Sequence, residues 1–167
     1  MLFLIKMTQS KNKLTLNLVF LFSIFVLIFA YFIEYVLKHE PCNLCLIQRL
    51  PYIIAVIIIT IYFFLKKLEK ITFLLLALIF ISGTLLSFYH VGIEEGFFEE
   101  SFLCNLNNET SILTKEDLLK ELKKKVISCK NVNFTILGFS LALINSIVSI
   151  ILSIITLKKY LNYEKGK

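Results

Sequence analysis

The sequence predicts an all-α integral membrane protein: four spanning helices in one bundle, with both termini in the cytoplasm. Three observations carry that prediction. Of the 167 residues, 57% are hydrophobic and 18% charged, whereas water-soluble domains hold about 45–50% apolar and about 25% charged residues. The apolar residues gather into four runs, each near the length of about 20 residues that a helix needs to cross hydrocarbon. The charges, finally, sort unequally onto the segments between those runs. With only two Pro and five Gly, the chain does not resemble a linker or a collagen-like repeat.

Residues 1–167 read as a single membrane domain with spans at about 14–33, 46–65, 71–93 and 134–157, and outer loops at 34–45 and 94–133. The first run, Leu14–Ile33, is longer than a signal-peptide core. It continues as Ala30-Tyr31-Phe32-Ile33-Glu34 with no small-residue cleavage site, so it reads as a retained anchor. The second, Leu46–Leu65, carries one charge, Arg49, near its end, where a long side chain can reach the interface. The third is Ile71–Ile93 and the fourth runs from about Phe134 to Leu157. Lipid satisfies no backbone polar group, so such runs are helices; barrel strands would be half as long and would alternate.

The links give the orientation. Lys6, Lys11 and Lys13 precede the first span, Lys66, Lys67 and Lys70 against Glu69 join the second to the third, and Lys158, Lys159, Lys165 and Lys167 against Glu164 follow the fourth. Together these carry +8, whereas residues 34–49 are neutral and residues 94–130 carry −2. The positive segments belong in the cytoplasm. The basic pI of 9.1 is therefore a topology signal and does not argue for nucleic-acid binding.

All four cysteines then fall on the outer, oxidising side, where an even number reads as disulfide chemistry. Cys42-Asn43-Leu44-Cys45 has the redox spacing, in which one thiol acquires a lowered pKa. Cys104 and Cys129 would close a larger loop and by themselves suit a structural bridge as well as a catalytic one. A second span starting near Leu44–Leu46 places Cys45 at a helix N-terminus, which favours its thiolate. Arg49, four residues on, shares that face and suits either an interface anchor or the stabilisation of a thiolate or a reduced acceptor. Gln48 lies on nearly the same face and is able to donate to a carbonyl, or simply to sit as an interface polar residue. Pro51 would bend the second span in its first turns. His90, at the end of the third span, is either an amphipathic cap or the lining of a polar-headed pocket at the depth of Arg49; His39 receives no role. In the second outer loop, Thr114 and Asp117 make a weak capping box before Leu118, Leu119, Leu122 and Val126. These recur at helical spacing and predict a short amphipathic helix, lying flat on the outer leaflet or packed on the bundle.

Pro41-Cys42-Asn43-Leu44-Cys45-Leu46-Ile47-Gln48-Arg49 resembles the signature of the bacterial disulfide bond formation protein B (DsbB) family. So do Tyr89-His90-Val91-Gly92-Ile93-Glu94, the Cys104 and Cys129 pair, and Leu137-Gly138-Phe139-Ser140 leading into the last span. The resemblance implies an inner-membrane four-helix bundle that oxidises a soluble periplasmic DsbA-type oxidoreductase and passes two electrons to a quinone, ubiquinone or menaquinone. It implies disulfides Cys42–Cys45 and Cys104–Cys129, the second pair meeting the partner and the first reducing the quinone. It also implies that Arg49 and His90 lie near the quinone; Gln48 joins them as a candidate through its place on the face of Arg49, and no metal is expected. Family members commonly carry interfacial tryptophan; this chain has none, and its 16 Phe and seven Tyr must serve instead.

Two other readings remain. A vitamin K epoxide reductase-like enzyme also has four spans, but there the loop pair usually precedes the Cys-x-x-Cys. A non-enzymatic membrane protein would use the cysteines as structural disulfides or as a zinc site, which an oxidising loop disfavours.

Overall fold

The computed structural model describes residues 2–65, 68–99, 104, 129–130, 135–136 and 138–165. The chain forms α1 (Leu2–Tyr35), α2 (Asn43–Ile47), α3 (Leu50–Leu65), α4 (Glu69–Glu94), the short strands β1 (Thr135–Ile136) and β2 (Phe139–Ser140), and α5 (Leu141–Lys165). Among the described residues, four stretches are long and apolar enough to cross a membrane: Asn12–Tyr35, Asn43–Leu65, Glu69–Glu94 and Leu141–Asn162. The predicted amphipathic helix over 114–126 lies outside the described residues.

The second crossing is made of two helices. α2 and α3 meet at Gln48–Arg49, where Arg49 N donates to Leu46 O at 3.1 Å, a tightened i−3 bond. Pro51 supplies the cause, because it has no N–H to continue the ladder. The fourth crossing also begins differently from the sequence-based expectation near Phe134. Thr135 pairs with Ser140 and Ile136 with Phe139 in a hairpin turned by Gly138 at φ +85°. Ser140 Oγ then accepts from Leu143 N at 3.1 Å and starts α5 at Leu141.

The bundle is apolar outside, and its interior mixes an apolar core with buried polar side chains. Phe25 is 62% exposed on α1, whereas Ser149 of α5 is 1% exposed, the distribution expected when the surroundings are lipid. Leu16, Val19, Tyr52, Ala55, Ile59, Phe73, Leu76 and Phe80 form the apolar core. α4 packs most extensively on α5, with α1 on α3 and α3 on α4. Small residues allow this. A Cβ added at Gly83 would lie 3.1 Å from Pro51 Cγ and 3.7 Å from Ser149 Oγ, so α3, α4 and α5 approach closely at that glycine.

At its C-terminal end α4 is closed by the chain that follows it. Phe97 N and Phe98 N donate to Gly92 O at 2.8 and 3.1 Å. The Phe98 ring lies where a Cβ on residue 92 would stand. A larger residue at 92 would displace that ring.

Candidate redox site

Cys42 is the N-cap of α2. Its backbone is extended at φ −70° and ψ 165°, and its sulfur accepts from Cys45 N at 3.4 Å. The two sulfurs lie 3.0 Å apart as free thiols. Cys104 and Cys129 are joined by a disulfide with Cα atoms 6.0 Å apart. Asn43 Nδ2 donates to Cys104 O at 3.0 Å and ties α2 to that bridge. Three of the cysteines are nearly inaccessible: Cys42 is 7%, Cys104 4% and Cys129 2% exposed. They share one apolar cluster with Leu44 and Ile93.

His90 stands beside Cys42, with Nε2 3.6 Å from its sulfur. The same nitrogen is 3.7 Å from Glu94 Oε1. The hydrogen bond with Cys45 holds the Cys42 thiol far below the ordinary thiol range, at about 4; burial opposes this and His90 adds to it. Cys45 lies at the helix N-terminus, as its place in the sequence predicts, but the thiol held low there is that of Cys42 and not that of Cys45. α2 starts at Asn43, so Cys45 lies inside the first turn, and the capping sulfur belongs to Cys42.

Cys42, His90 and Cys129 offer sulfur or ring-nitrogen atoms within 4.8 Å of one another. That spacing brings the two cysteine pairs into exchange range. It is not a ready metal set, because the Cys129 sulfur is engaged in the disulfide; structural zinc takes four ligands with sulfur as thiolate.

Gln48 and Arg49 leave the joint in different directions. Gln48 is buried, with Nε2 3.0 Å from His90 Nδ1. Arg49 forms an ion pair with Glu34 of α1, and its guanidinium lies over the Tyr31 ring at 5.0 Å. Between α1, the joint and α5 lies a cavity of about 320 Å³. Cys42, Cys45, Gln48, Arg49, His90 and Glu94 line its polar end, and Phe22, Phe25, Val26 and Val148 its apolar end. Phe22, Phe25 and Val148 also line a second, apolar cavity of about 700 Å³ that continues along the α1–α5 seam toward Thr15 and Ile155. The pair of cavities fits an amphiphile with a flat polar head and a long apolar tail.

All seven predicted site residues therefore meet in one region. Glu34, Tyr31, Tyr52, Glu94 and Asn145 do not stand out in the sequence as site residues. Asn145 carries a usable signal, since an amide in the middle of an apolar span rarely stands without a partner. Glu34 counts in the sequence only as a loop charge.

A family model described as disulfide bond formation protein DsbB matches residues 12–158. The chain is also 31% identical over 142 residues to the uncharacterized protein RP370 of Rickettsia prowazekii (strain Madrid E), an alignment covering 83% of each chain. No solved structure matches it.

Proposed function

The chain belongs to the DsbB family and is a quinone-dependent thiol–disulfide oxidoreductase of the multi-pass inner-membrane type; on that premise we propose how its residues carry the reaction. The cysteine-bearing loops face the periplasm and both termini the cytoplasm, which the charge asymmetry of the links supports. The protein partner is a soluble DsbA-type Cys-x-x-Cys oxidoreductase in its reduced state. The single observation that carries the route is the convergence of Cys42, His90 and Cys129 within 4.8 Å.

A thiolate of the reduced partner attacks the Cys104–Cys129 disulfide, at Cys104 by family resemblance. The partner's second thiol resolves the mixed disulfide, so the partner leaves oxidised and Cys104 and Cys129 are thiols. Cys129 then attacks Cys42 of an oxidised Cys42–Cys45 pair and Cys45 leaves as thiolate. Cys104 attacks Cys129, the loop disulfide reforms and Cys42 is released. Each exchange forms one S–S bond and breaks one, and no outside oxidant enters.

The pair then closes. Two thiols become one disulfide and release two electrons and two protons. The Cys42 thiolate, 3.0 Å from the Cys45 sulfur, is placed to form that bond. When bound, the quinone supplies a two-electron, two-proton acceptor. Arg49, Gln48 and His90 would hold its polar head at the joint, and the α1–α5 seam would hold its tail.

Anaerobic mixing of the folded protein with a reduced Cys-x-x-Cys partner and ubiquinone or menaquinone tests this reading. The expected result is partner oxidation matched mole for mole by quinol. Partner oxidation that does not depend on added quinone, or none at all, would overturn it.

A further inference from the structure

From His90 a run of buried polar side chains continues inward, and the proposed reaction uses only its outer end. Gln48 Nε2 lies 3.0 Å from His90 Nδ1. Asn145 Nδ2 donates to Gln48 Oε1 at 3.2 Å and to Ser87 Oγ at 2.7 Å. Tyr52 OH donates to Asn145 Oδ1 at 2.6 Å and lies 3.3 Å from Ser149 Oγ. One amide on α5 thus gathers the end of α2, α3 and α4 into a single network.

We propose that Asn145 is a positioning residue: through the amide of Gln48 it holds His90 in the tautomer that presents Nε2–H to the Cys42 sulfur.

Donor and acceptor identities decide the tautomer. An amide side chain has one donor end and one acceptor end. Which end of Gln48 meets His90 depends on what holds its other end. Asn145 offers Gln48 an N–H, so Gln48 Oε1 turns to Asn145 and Nε2 to the ring. Nδ1 then accepts, and the neutral imidazole carries its hydrogen on Nε2, facing Cys42. Tyr52 fixes Asn145 in turn by donating to its oxygen, while Ser87 takes its second N–H. In a buried network one reversal forces the next, because an unpaired polar group is costly there. The reversed network would put the hydrogen on Nδ1 and leave a bare nitrogen facing the thiolate.

The other titratable groups near Cys42 are Cys45 on its own helix and Glu94 on α4, with Cys129 held in its disulfide. Glu34, His39, Glu40 and Arg49 line the same cavity. The inference rests on reading Cys42 as a working thiol of the redox site, but its test needs neither partner nor quinone.

The protein, labelled with ¹⁵N-histidine and held in nanodiscs with Cys42 and Cys45 reduced, reports the tautomer through the two ring-nitrogen shifts of His90, identified by their loss in His90→Gln. A second measurement follows the pH midpoint of Cys42 alkylation with Cys45, Cys104 and Cys129 replaced by Ser. Asn145→Asp keeps the size of the side chain and an acceptor for Tyr52 but removes the N–H offered to Gln48. We expect an Nε2–H ring in the parent and a shift toward Nδ1–H in Asn145→Asp. The alkylation midpoint should rise by about one unit, or about tenfold less thiolate at pH values below the midpoint. Tyr52→Phe should move both readouts in the same direction by less. With His90→Phe in place, Asn145→Asp should move the midpoint no further. A parent ring protonated at Nδ1 would overturn the proposal. So would an Asn145→Asp variant with unchanged tautomer and midpoint, or a midpoint shift that survives removal of His90. If the tautomer moves as expected while partner oxidation fails, the positioning role stands and the proposed reaction falls.

Discussion

Two seams run the length of this bundle and they are built in opposite ways. Where α4 meets α5 and α3, the contacts are small residues and hydroxyls: Gly83 against Pro51 and Ser149, Ser87 and Tyr52 against Asn145. Between α1 and α5 the facing residues are large and apolar, and they leave two cavities joined at Phe22, Phe25 and Val148. The tight seam fixes polar atoms at hydrogen-bond distances. The open seam leaves room for a guest. Cys42, Cys45, Gln48 and Arg49 sit where the two meet, so fixed chemistry faces an accessible space.

Removing the thiols at that meeting line should have the largest effect. Cys42→Ser or Cys45→Ser should lower quinone-dependent partner oxidation by at least about a thousandfold, as expected when a covalent step is deleted, with helicity and melting unchanged. Retention of more than a tenth of the activity would place the redox pair elsewhere. Arg49→Ala should raise the KM for quinone about tenfold or more, the scale of a lost charged hydrogen bond, and leave the KM for the partner nearly unaltered. An effect confined to the partner would remove Arg49 from the open seam. Blocking that seam at a residue shared by the two cavities with Val148→Trp should raise the KM for a long-tailed quinone several-fold and that for a tailless analogue little. Equal effects on both would show that the tail lies elsewhere. The tight seam is probed by Gly83→Ala, whose Cβ would crowd Pro51; overpacking of this kind costs about 1–3 kcal/mol and should lower the melting temperature while the folded fraction keeps its turnover.

The smallest expected effect concerns pH. Because the Cys42 thiol is held far below its ordinary range, its thiolate fraction should stay flat through neutral pH and fall only in acid. The same depression stabilises the fold above the ordinary thiol pKa, and that contribution shrinks as pH falls toward the lowered value. Alkylation of Cys42 that still rises steeply between pH 7 and 9 would contradict this.

The four crossings were legible because little besides a membrane span calls for a run of about 20 apolar residues. The Cys42-x-x-Cys45 spacing and the Arg49 offset were legible because they are local. The capping sulfur was harder to place for a related reason: a shift of a few residues in the start of α2 decides whether Cys42 or Cys45 holds the N-cap, and hydrophobicity does not fix a boundary that finely. The partners of Gln48 and His90 were out of reach, since they depend on how four helices rotate about one another. Asn145 is separated from Gln48 by 97 residues, and no pattern along the chain links them. In lipid such interhelical bonds contribute only about 0.6 kcal/mol each, so the network matters more for where atoms point than for whether the bundle forms.

The two-residue joint between α2 and α3 sends neighbouring side chains into different seams, Gln48 to His90 and Arg49 to Glu34. Successive residues of a helix point roughly 100° apart. One residue inserted or deleted between Cys45 and Pro51 would therefore swing Arg49 off the cavity or Gln48 off the imidazole, even if every residue type survived. A single substitution around the joint removes one contact, whereas a change of length there disturbs both sets of contacts at once. The interval from Cys42 to Arg49 is therefore a fixed dimension of the catalyst.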